Sequence, residues 1–328
     1  MSALLDVRDL RVGYYNNEGI TEVLRGVNFS VRKGESLGIV GESGCGKSMT
    51  SMAIMGLLKN KGLVAFGGEI LWEGKNLLQL KKKDWRQLRG NKISMIFQEP
   101  MTALNPLLTI GRQITEQIRA HQSVRKKEAE KLAVELLQMV GIPSPEQRMR
   151  NYPHEMSGGM RQRVMIAMAI SCQPQLLIAD EPTTALDVTI QAQILELLSS
   201  LREKLNMSLI LITHDLGVVA NHCQRVIVMY AGKVVEEASK DELFNNPIHP
   251  YTKGLLKSVT SLEKKVDRIY SIPGRVPLPG DIKEGCVFQD RCPLAEGRCY
   301  TQEPPFVHVE GARKVSCWKY KESSEEVL

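Results

Sequence analysis

A glycine-rich segment near the N-terminus has residue types and spacing suited to holding phosphate groups. Residues 41–48 (Gly-Glu-Ser-Gly-Cys-Gly-Lys-Ser, the P-loop below) match the pattern GxxxxGK[ST] in full. The glycines let the backbone curl so that several N–H groups point at a phosphate, and the following helix adds its positive end. Lys47 is predicted to reach the β- and γ-phosphates, and the Ser48 hydroxyl to hold Mg²⁺.

Two adjacent acids, Asp180 and Glu181, follow an apolar run later in the chain. Ligands of α/β folds bind outside the carboxyl ends of the strands, where this pair is predicted to lie. We expect Asp180 to orient Mg²⁺ or its waters, and Glu181 to activate a water for attack on the γ-phosphate. An Asp-Glu pair taken alone fits a solvated strand end better, so these roles are assigned only because the chain also contains the P-loop.

The elements that must position these residues alternate between apolar strands and amphipathic helices. Strands are predicted at residues 4–10, 23–31, 36–40, 93–97, 175–179, 209–213, 226–229 and 233–235. Helices are predicted at residues 49–58, 112–121, 125–140, 157–171 and 189–205. This order indicates an α/β fold with a largely parallel sheet and a helical insertion at about residues 100–172.

A further set of motifs gives the chain a family resemblance. Residues 156–162, Met-Ser-Gly-Gly-Met-Arg-Gln, resemble the signature of ABC-type ATPases, in which Leu-Ser-Gly-Gly-Gln is the common form. The family's other elements appear in order over about residues 4–236: Tyr14 (or Tyr15) resembles the aromatic that stacks on adenine, Gln98 the Q-loop glutamine, Ala185-Leu186-Asp187 the D-loop, and His214 the switch histidine.

The resemblance implies an ABC-type P-loop NTPase fold, with a RecA-like core, an antiparallel β subdomain and a helical insertion. It implies ATP and Mg²⁺ as ligands, with Glu181, His214 and Gln98 as catalytic residues. Mg²⁺ would be held by Ser48, Gln98 and Asp180. The nucleotide would contact Tyr14, Ser43, Gly44, Cys45, Gly46, Lys47, Ser48 and Met49, and also Ser157, Gly158, Gly159 and Asp187. In the family, the signature faces the γ-phosphate bound to the other ATPase subunit.

One residue departs from the family pattern, since Met160 stands where glutamine is usual. Ser157 and the Gly158 and Gly159 amides are expected to cap a helix and form an anion site from backbone groups. That site does not need the glutamine side chain, so we expect ATP binding to survive. Because Glu181 and His214 are both present, we expect the chain's own site to hydrolyse ATP. Cys45 is expected to be a small residue that the P-loop tolerates, without a redox role.

Composition and finer motifs suggest which kind of ABC ATPase this is. The chain has 328 residues, a net charge of +6 and no apolar run or leader typical of a membrane span or signal peptide. We predict a nucleotide-binding domain at residues 1–240 and a C-terminal extension at residues 241–328. Segments that resemble the D-type ATPase subunit of bacterial dipeptide/oligopeptide importers lie at residues 97–106, 157–168, 249–252 and 272–277.

That subfamily implies a set of partners. They are an F-type ATPase subunit in a heterodimer, two membrane permeases and an extracytoplasmic peptide-binding protein, with no nucleic acid. The segment after Gln98 and the helical insertion would dock the permeases' coupling helices. The location implied is peripheral, at the cytoplasmic face of the cell membrane.

Four of the seven cysteines cluster in the extension. Cys286, Cys292, Cys299 and Cys317 are separated by five, six and seventeen residues, without the tight pairs usual for zinc. Four thiolates can also bind a [4Fe–4S] cluster. A segment this small has little hydrophobic core of its own, so a bound metal group would stabilise it. Residues 285–293 resemble the subfamily tail associated with that cluster. An iron–sulfur cluster is favoured, while zinc and unmetallated thiols remain open because spacing does not select the metal.

Two other functions fit parts of the pattern. A nickel-importer ATPase is a close relative in the same class, and residues 98–106 alone would not separate it from a peptide importer. A soluble ABC ATPase acting on nucleic acid is the second alternative. It is disfavoured because the charge is modest, without a strong basic stripe, and because the cysteines follow the ATPase domain.

Overall fold

The computed structural model describes residues 3–17, 19–98, 103–184, 186–263, 270–282, 284–309 and 311–320. The strands are β1 Leu5–Asn16, β2 Gly19–Val31, β3 Ser36–Val40, β4 Val64–Trp72, β5 Lys75–Asn76, β6 Ile93–Ile96, β7 Leu176–Asp180, β8 Ser208–Ile212, β9 Arg225–Tyr230, β10 Lys233–Ser239, β11 Phe306–His308 and β12 Lys314–Ser316.

The α-helices are α1 Lys47–Ile54, α2 Lys82–Leu88, α3 Ile110–His121, α4 Lys126–Met139, α5 Pro145–Arg148, α6 Gly158–Ile170, α7 Val188–Lys204, α8 Leu216–His222, α9 Lys240–Asn245, α10 Pro250–Glu263 and α11 Gly297–Thr301. Short 3₁₀ helices lie at Leu58–Lys61, Leu77–Gln79, Pro153–Glu155, Pro279–Asp281, Gln289–Arg291 and Trp318–Tyr320. Within the described ranges, no helix combines the length and the apolar character needed to cross a membrane.

One compact unit, the P-loop unit, draws its described residues from Met1–Arg32, Ser36–Leu78 and Thr213–Leu328. It contains an antiparallel sheet in the order β2-β1-β4-β5. It also contains the run β11-β12-β10-β9-β3, in which β3 and β9 are parallel and the other neighbours antiparallel. The C-terminal extension therefore adds its strands to the sheet that carries β3, because β12 pairs with β10.

The other compact unit, the signature unit, draws its described residues from Lys33–Glu35 and Gln79–Ile212. Its strands β6, β7 and β8 are parallel neighbours and are buried along their whole length. Such strands are covered on both faces, which explains their nearly continuous apolar sequences. Helices α3, α4 and α6 contact one another, and α6 also contacts β6 and α7.

Most of the predicted elements are confirmed, with bounds shifted by a few residues, and β3 matches its prediction residue for residue. The predicted helix at 49–58 instead begins at Lys47 and ends at Ile54, and a left-handed Gly56 follows. The hairpin of β9 and β10 is confirmed. The elements that were not predicted are β4, β5, β11, β12, α2, α5, α8, α9, α10 and α11. The largely parallel sheet is confirmed for β6–β8 and for β3–β9, and the antiparallel strands β11 and β12 lie beyond the predicted hairpin.

Candidate functional site

The P-loop connects β3 to α1, and its backbone conformation requires glycine at three positions. Gly41, Gly44 and Gly46 have φ values of 153°, 81° and 107°, which L side chains rarely adopt. A Cβ on Gly41 would lie 2.3 Å from the Met229 carbonyl oxygen, so close approach to β9 also demands glycine. Gly46 caps α1 without a side-chain hydrogen bond, which leaves the start of this helix to its backbone groups.

Lys47 and its neighbours occupy the positions that the motif predicts. The Lys47 side chain is buried, and its Nζ donates to the carbonyl oxygens of Gly41 and Glu42 at 2.8 and 3.1 Å. Ser48 and Met49 are half-buried in the first turn of α1, whereas Ser43 and Gly44 are exposed. This ammonium therefore lies at the base of a loop whose turn is open to solvent.

Cys45 is fully buried in the P-loop. Burial raises the pKa of its thiol, an effect that the nearby Lys47 charge opposes. Its carbonyl oxygen accepts from the Gly232 N–H at 2.9 Å, which ties the loop to the β9–β10 turn. A buried neutral thiol at this position supports the structural interpretation made from the sequence.

Two further predicted residues lie in the P-loop unit. Tyr14 is 40% exposed and Tyr15 is 70% exposed, so both rings are accessible near the end of β1. His214 is exposed just after β8. The next residue, Asp215, caps α8 by accepting from the Gly217 and Val218 amides at 2.8 and 3.3 Å, which fixes the backbone beside the histidine.

The carboxylates lie in the signature unit, at the carboxyl end of β7. Asp180 is buried as the last residue of the strand. Glu181 follows in a left-handed conformation with φ of 46°, uncommon for a residue with a side chain. Its amide donates to the Ile212 carbonyl oxygen at 2.9 Å, so the neighbouring strand holds this turn in place.

The Glu181 carboxylate has two side-chain partners. Its Oε2 accepts from the Gln98 Nε2 and from the Thr184 hydroxyl, each at 3.0 Å. The structure thus brings together the predicted Q-loop glutamine and the predicted catalytic base. Thr184 was missed by the sequence reasoning, and its position three residues after Glu181 is the signal that could have found it. Residues 99–102 and Ala185 of the quoted motifs lie outside the described residues.

The signature residues begin helix α6 as predicted. Ser157 caps the helix, since its hydroxyl accepts from the Met160 amide at 3.3 Å. Ser157 and Gly158 are exposed, which leaves this helix start accessible. Asp187 caps α7 in the same way and accepts from the Ile190 amide at 2.9 Å. Met160 contributes its backbone to the first cap, so the missing glutamine side chain is not needed for it.

The extension's four cysteines line a common cavity of about 110 Å³. Burial raises the pKa of the Cys286 thiol to about 11, and the three other cysteines add to the effect. Burial also raises the thiol pKa of Cys292 and Cys317. Across the described part of the chain, no three His, Cys, Asp or Glu side chains come close enough together to hold a single metal ion.

An ion pair that the sequence reasoning missed joins the extension to the P-loop. Arg291 places its two terminal nitrogens against the two carboxylate oxygens of Glu42, at 2.7 and 3.0 Å. The Glu42 amide also donates to the Tyr251 hydroxyl at 2.9 Å. No local pattern could have signalled this contact between residues 249 positions apart.

Two segments of the chain match known protein families. Residues 24–184 match the family described as ABC transporter, and residues 235–299 match the one described as oligopeptide/dipeptide transporter, C-terminal region. The chain is 52% identical over 326 residues to the oligopeptide transport ATP-binding protein AppD of Bacillus subtilis, covering 99% of both chains.

The chain belongs to the ABC transporter family. It is 51% identical to the dipeptide transport ATP-binding protein DppD of Haemophilus influenzae (96% of this chain, 95% of that one). It is 48% identical to the oligopeptide transport ATP-binding protein OppD of Escherichia coli (97% of this chain, 93% of that one).

Solved structures of ABC proteins support the same fold. The ATP-binding cassette MJ0796 bound to ADP and Pi superposes with a TM-score of 0.65 at 28% identity, covering 72% of this chain and 98% of that chain. CbiO1 of Clostridium perfringens gives a TM-score of 0.63 at 28% identity, covering 75% and 92%. The fold is therefore the ABC-type P-loop fold with its antiparallel β subdomain, and the chain is an ABC-type ATPase.

Proposed function

We propose that this chain binds and hydrolyses ATP to energise the import of dipeptides or oligopeptides across the cell membrane. The observation that carries the proposal is the C-terminal match at residues 235–299, to the family described as oligopeptide/dipeptide transporter, C-terminal region. Identity of about half over nearly the whole length to AppD, DppD and OppD supports it. None of these three relatives is named for nickel or for nucleic acid, so neither alternative gains support.

The ATP site follows from the chemistry of its residues. The P-loop amides and Lys47 bind the phosphates, and the ring of Tyr14 stacks on the adenine. The oxygen donors of Ser48, Gln98 and Asp180 suit Mg²⁺, which neutralises charge on the phosphates. Glu181 takes a proton from the attacking water, and Gln98 and Thr184 keep its carboxylate in one orientation.

The remaining site residues act around the γ-phosphate. His214 donates a hydrogen bond towards it. Ser157, Gly158 and Gly159 form an anion site at the start of α6, and Asp187 orders the neighbouring helix start. In the proposed assembly, this anion site binds nucleotide held by the second ATPase subunit.

The assembly that we propose has three kinds of partner for this chain. An F-type ATPase completes the dimer, two permeases form the membrane path, and an extracytoplasmic protein delivers the peptide. The chain itself works at the cytoplasmic face of the membrane. The family matches support a transporter subunit in general. The F-type partner follows from the resemblance of this chain to D-type subunits.

The decisive experiment uses the complex that copurifies with the tagged chain from membranes. Its ATPase rate is measured in proteoliposomes with the peptide-binding protein, with and without peptide. We expect peptide-loaded binding protein to raise the rate and a second, distinct ABC ATPase to be present in equal amount. Stimulation by nickel-loaded binding protein, by DNA or by ribosomes instead would overturn the proposal. Two copies of this chain in the complex would refute the F-type partner alone.

We also propose that Cys286, Cys292, Cys299 and Cys317 hold a [4Fe–4S] cluster. Their shared cavity supports it, because a cluster is larger than a single ion and its thiolates surround a space rather than converge on one point. The spacing of the four cysteines lacks the tight pairs that are usual for zinc. Such a cluster would cross-link the extension, and peptide import needs no electron from it.

Anaerobically purified protein tests the cluster directly. We expect absorbance near ~400 nm, together with iron and acid-labile sulfide, and loss of both in Cys292→Ser. Cys172→Ser serves as the matched control, because Cys172 lies in the signature unit and outside the cavity. Stoichiometric zinc without iron or sulfide would contradict the assignment.

A further inference from the structure

Glu42 places a negative charge inside the loop that must bind a polyanion. It occupies the second position of the P-loop, and its side chain is 32% exposed. Its carbonyl oxygen accepts from the Lys47 Nζ at 3.1 Å, so Glu42 is in direct contact with the phosphate-binding lysine. A carboxylate there repels phosphate and weakens the loop's attraction for nucleotide unless another group neutralises it.

Arg291 supplies that group from the C-terminal extension. Its side chain is only 4% exposed and meets the Glu42 carboxylate in a two-pronged geometry, the strongest arrangement available to an arginine and a carboxylate. Its Nε donates to the Pro273 carbonyl oxygen at 2.9 Å, and its Nη2 to that of Ile272 at 3.2 Å. These contacts fix the guanidinium before any nucleotide binds.

The same segment holds the Glu42 backbone through an aromatic cluster. Phe288 is buried against Tyr230 and Tyr251, with ring centroids 5.1 and 5.3 Å apart, and Tyr251 is the residue whose hydroxyl accepts from the Glu42 amide. Arg291 lies at the end of the 3₁₀ helix that follows Phe288. Residues 288–291 therefore pair with the Glu42 carboxylate and pack against the tyrosine that accepts from its amide.

We propose that Arg291 is a positioning residue of the ATP site, through which the C-terminal extension neutralises and orients Glu42 and so sets the affinity of the P-loop for nucleotide. The inference rests on the ATPase identity of the chain and not on its transport substrate or on the contents of the cysteine cavity. It gives the extension a role in nucleotide binding that the ATPase core alone would lack.

The test is nucleotide affinity in the assembled complex, measured with a fluorescent ADP analogue and Mg²⁺. We expect Arg291→Ala to raise the Kd about tenfold to a hundredfold, the size of the Coulomb repulsion between one unneutralised carboxylate and a nearby phosphate at an effective dielectric constant of about 20. Glu42→Gln alone should lower the Kd by up to about threefold, because the repelling carboxylate is removed while the Arg291 charge remains. In the double variant, Glu42→Gln should recover most of the affinity lost in Arg291→Ala.

Four further measurements separate this role from a general effect on folding. Arg275→Ala is the matched control, since Arg275 is an exposed arginine of the same extension, and we expect its Kd to be unchanged. The Arg291→Ala defect should shrink at high salt and appear in the KM for ATP more than in kcat. Arg291→Lys keeps the charge but not the two-pronged contact, so we expect an intermediate Kd.

Several results would overturn the proposed role of Arg291. A folded Arg291→Ala complex with wild-type Kd refutes the proposal, as does a double variant as weak as Arg291→Ala. An equal loss in Arg275→Ala would point to a general charge effect instead. If Arg291→Ala does not fold, Arg291→Lys and Glu42→Gln carry the test, and a wild-type Kd in Arg291→Lys together with a large loss in Glu42→Gln would contradict it.

Discussion

Replacing Glu181 with glutamine separates the chemistry of the site from its geometry. The glutamine oxygen can still accept from Gln98 and Thr184, which hold the carboxylate at 3.0 Å each. Glutamine also tolerates the left-handed backbone about as well as glutamate, because neither side chain is branched at Cβ. The substitution therefore removes the proton acceptor and leaves its surroundings in place.

The expected loss is that of a general base. Such groups contribute about 10² to 10⁴ in rate, or about 3 to 5 kcal/mol of activation free energy. The assay is steady-state phosphate release by the purified complex at saturating MgATP, with nucleotide affinity measured in parallel. We expect kcat to fall by that factor while the Kd for nucleotide stays within about twofold.

A matched control is Glu116→Gln, another glutamate-to-glutamine change in the signature unit. Glu116 pairs with Arg112 on the exposed face of α3, where such pairs contribute little, so its kcat should be unchanged. A fall in kcat of less than tenfold in Glu181→Gln would refute the assignment of Glu181 as the base. An equal rise in Kd would show that Glu181 acts in binding instead.

Three further predictions concern stability and its dependence on pH. Ser157→Ala should lower the free energy of unfolding by about 1 kcal/mol in urea titration, because the Met160 amide loses its cap, and Ser157→Asp should retain it. Glu236→Gln should cost about 3–5 kcal/mol in the same assay, since it leaves the buried Arg313 charge unpaired. Burial lowers the pKa of His249 from 6.5 to about 3. The unfolded chain therefore binds a proton that the folded chain does not, and the free energy of unfolding should fall as pH drops from 6.5 towards 3, less steeply in His249→Asn.

The chemistry-bearing motifs were readable from the sequence because each is local. A P-loop, a serine before an apolar helix and a buried strand ending in acids each fit within a dozen residues, and β3, α6 and β7 appear where those patterns predict. Strand β4 was missed because Gly67-Gly68 interrupts its alternation. That interruption fits a register shift between Arg8 and Arg11 of β1, a tertiary feature without a local signature.

The contacts that organise the site could not be read in this way. Gln98 and Glu181 are 83 positions apart, and Glu42 and Arg291 are 249 apart, so only the fold brings them together. The four cysteines were found by their clustering in the sequence, but their common cavity depends on how the extension itself folds. Spacing therefore identified the chemical groups, and tertiary structure determined which of them act together.

Peptide uptake in cells is the measurement that tests the central claim most directly. A strain lacking this chain is complemented with the wild type or with Glu181→Gln, and uptake of a radiolabelled dipeptide and of a longer peptide is measured beside uptake of nickel. We predict that peptide uptake is lost in the deletion strain, restored by the wild type and not by Glu181→Gln, with nickel uptake unchanged. Normal peptide uptake without the chain, or a loss confined to nickel, would contradict the account.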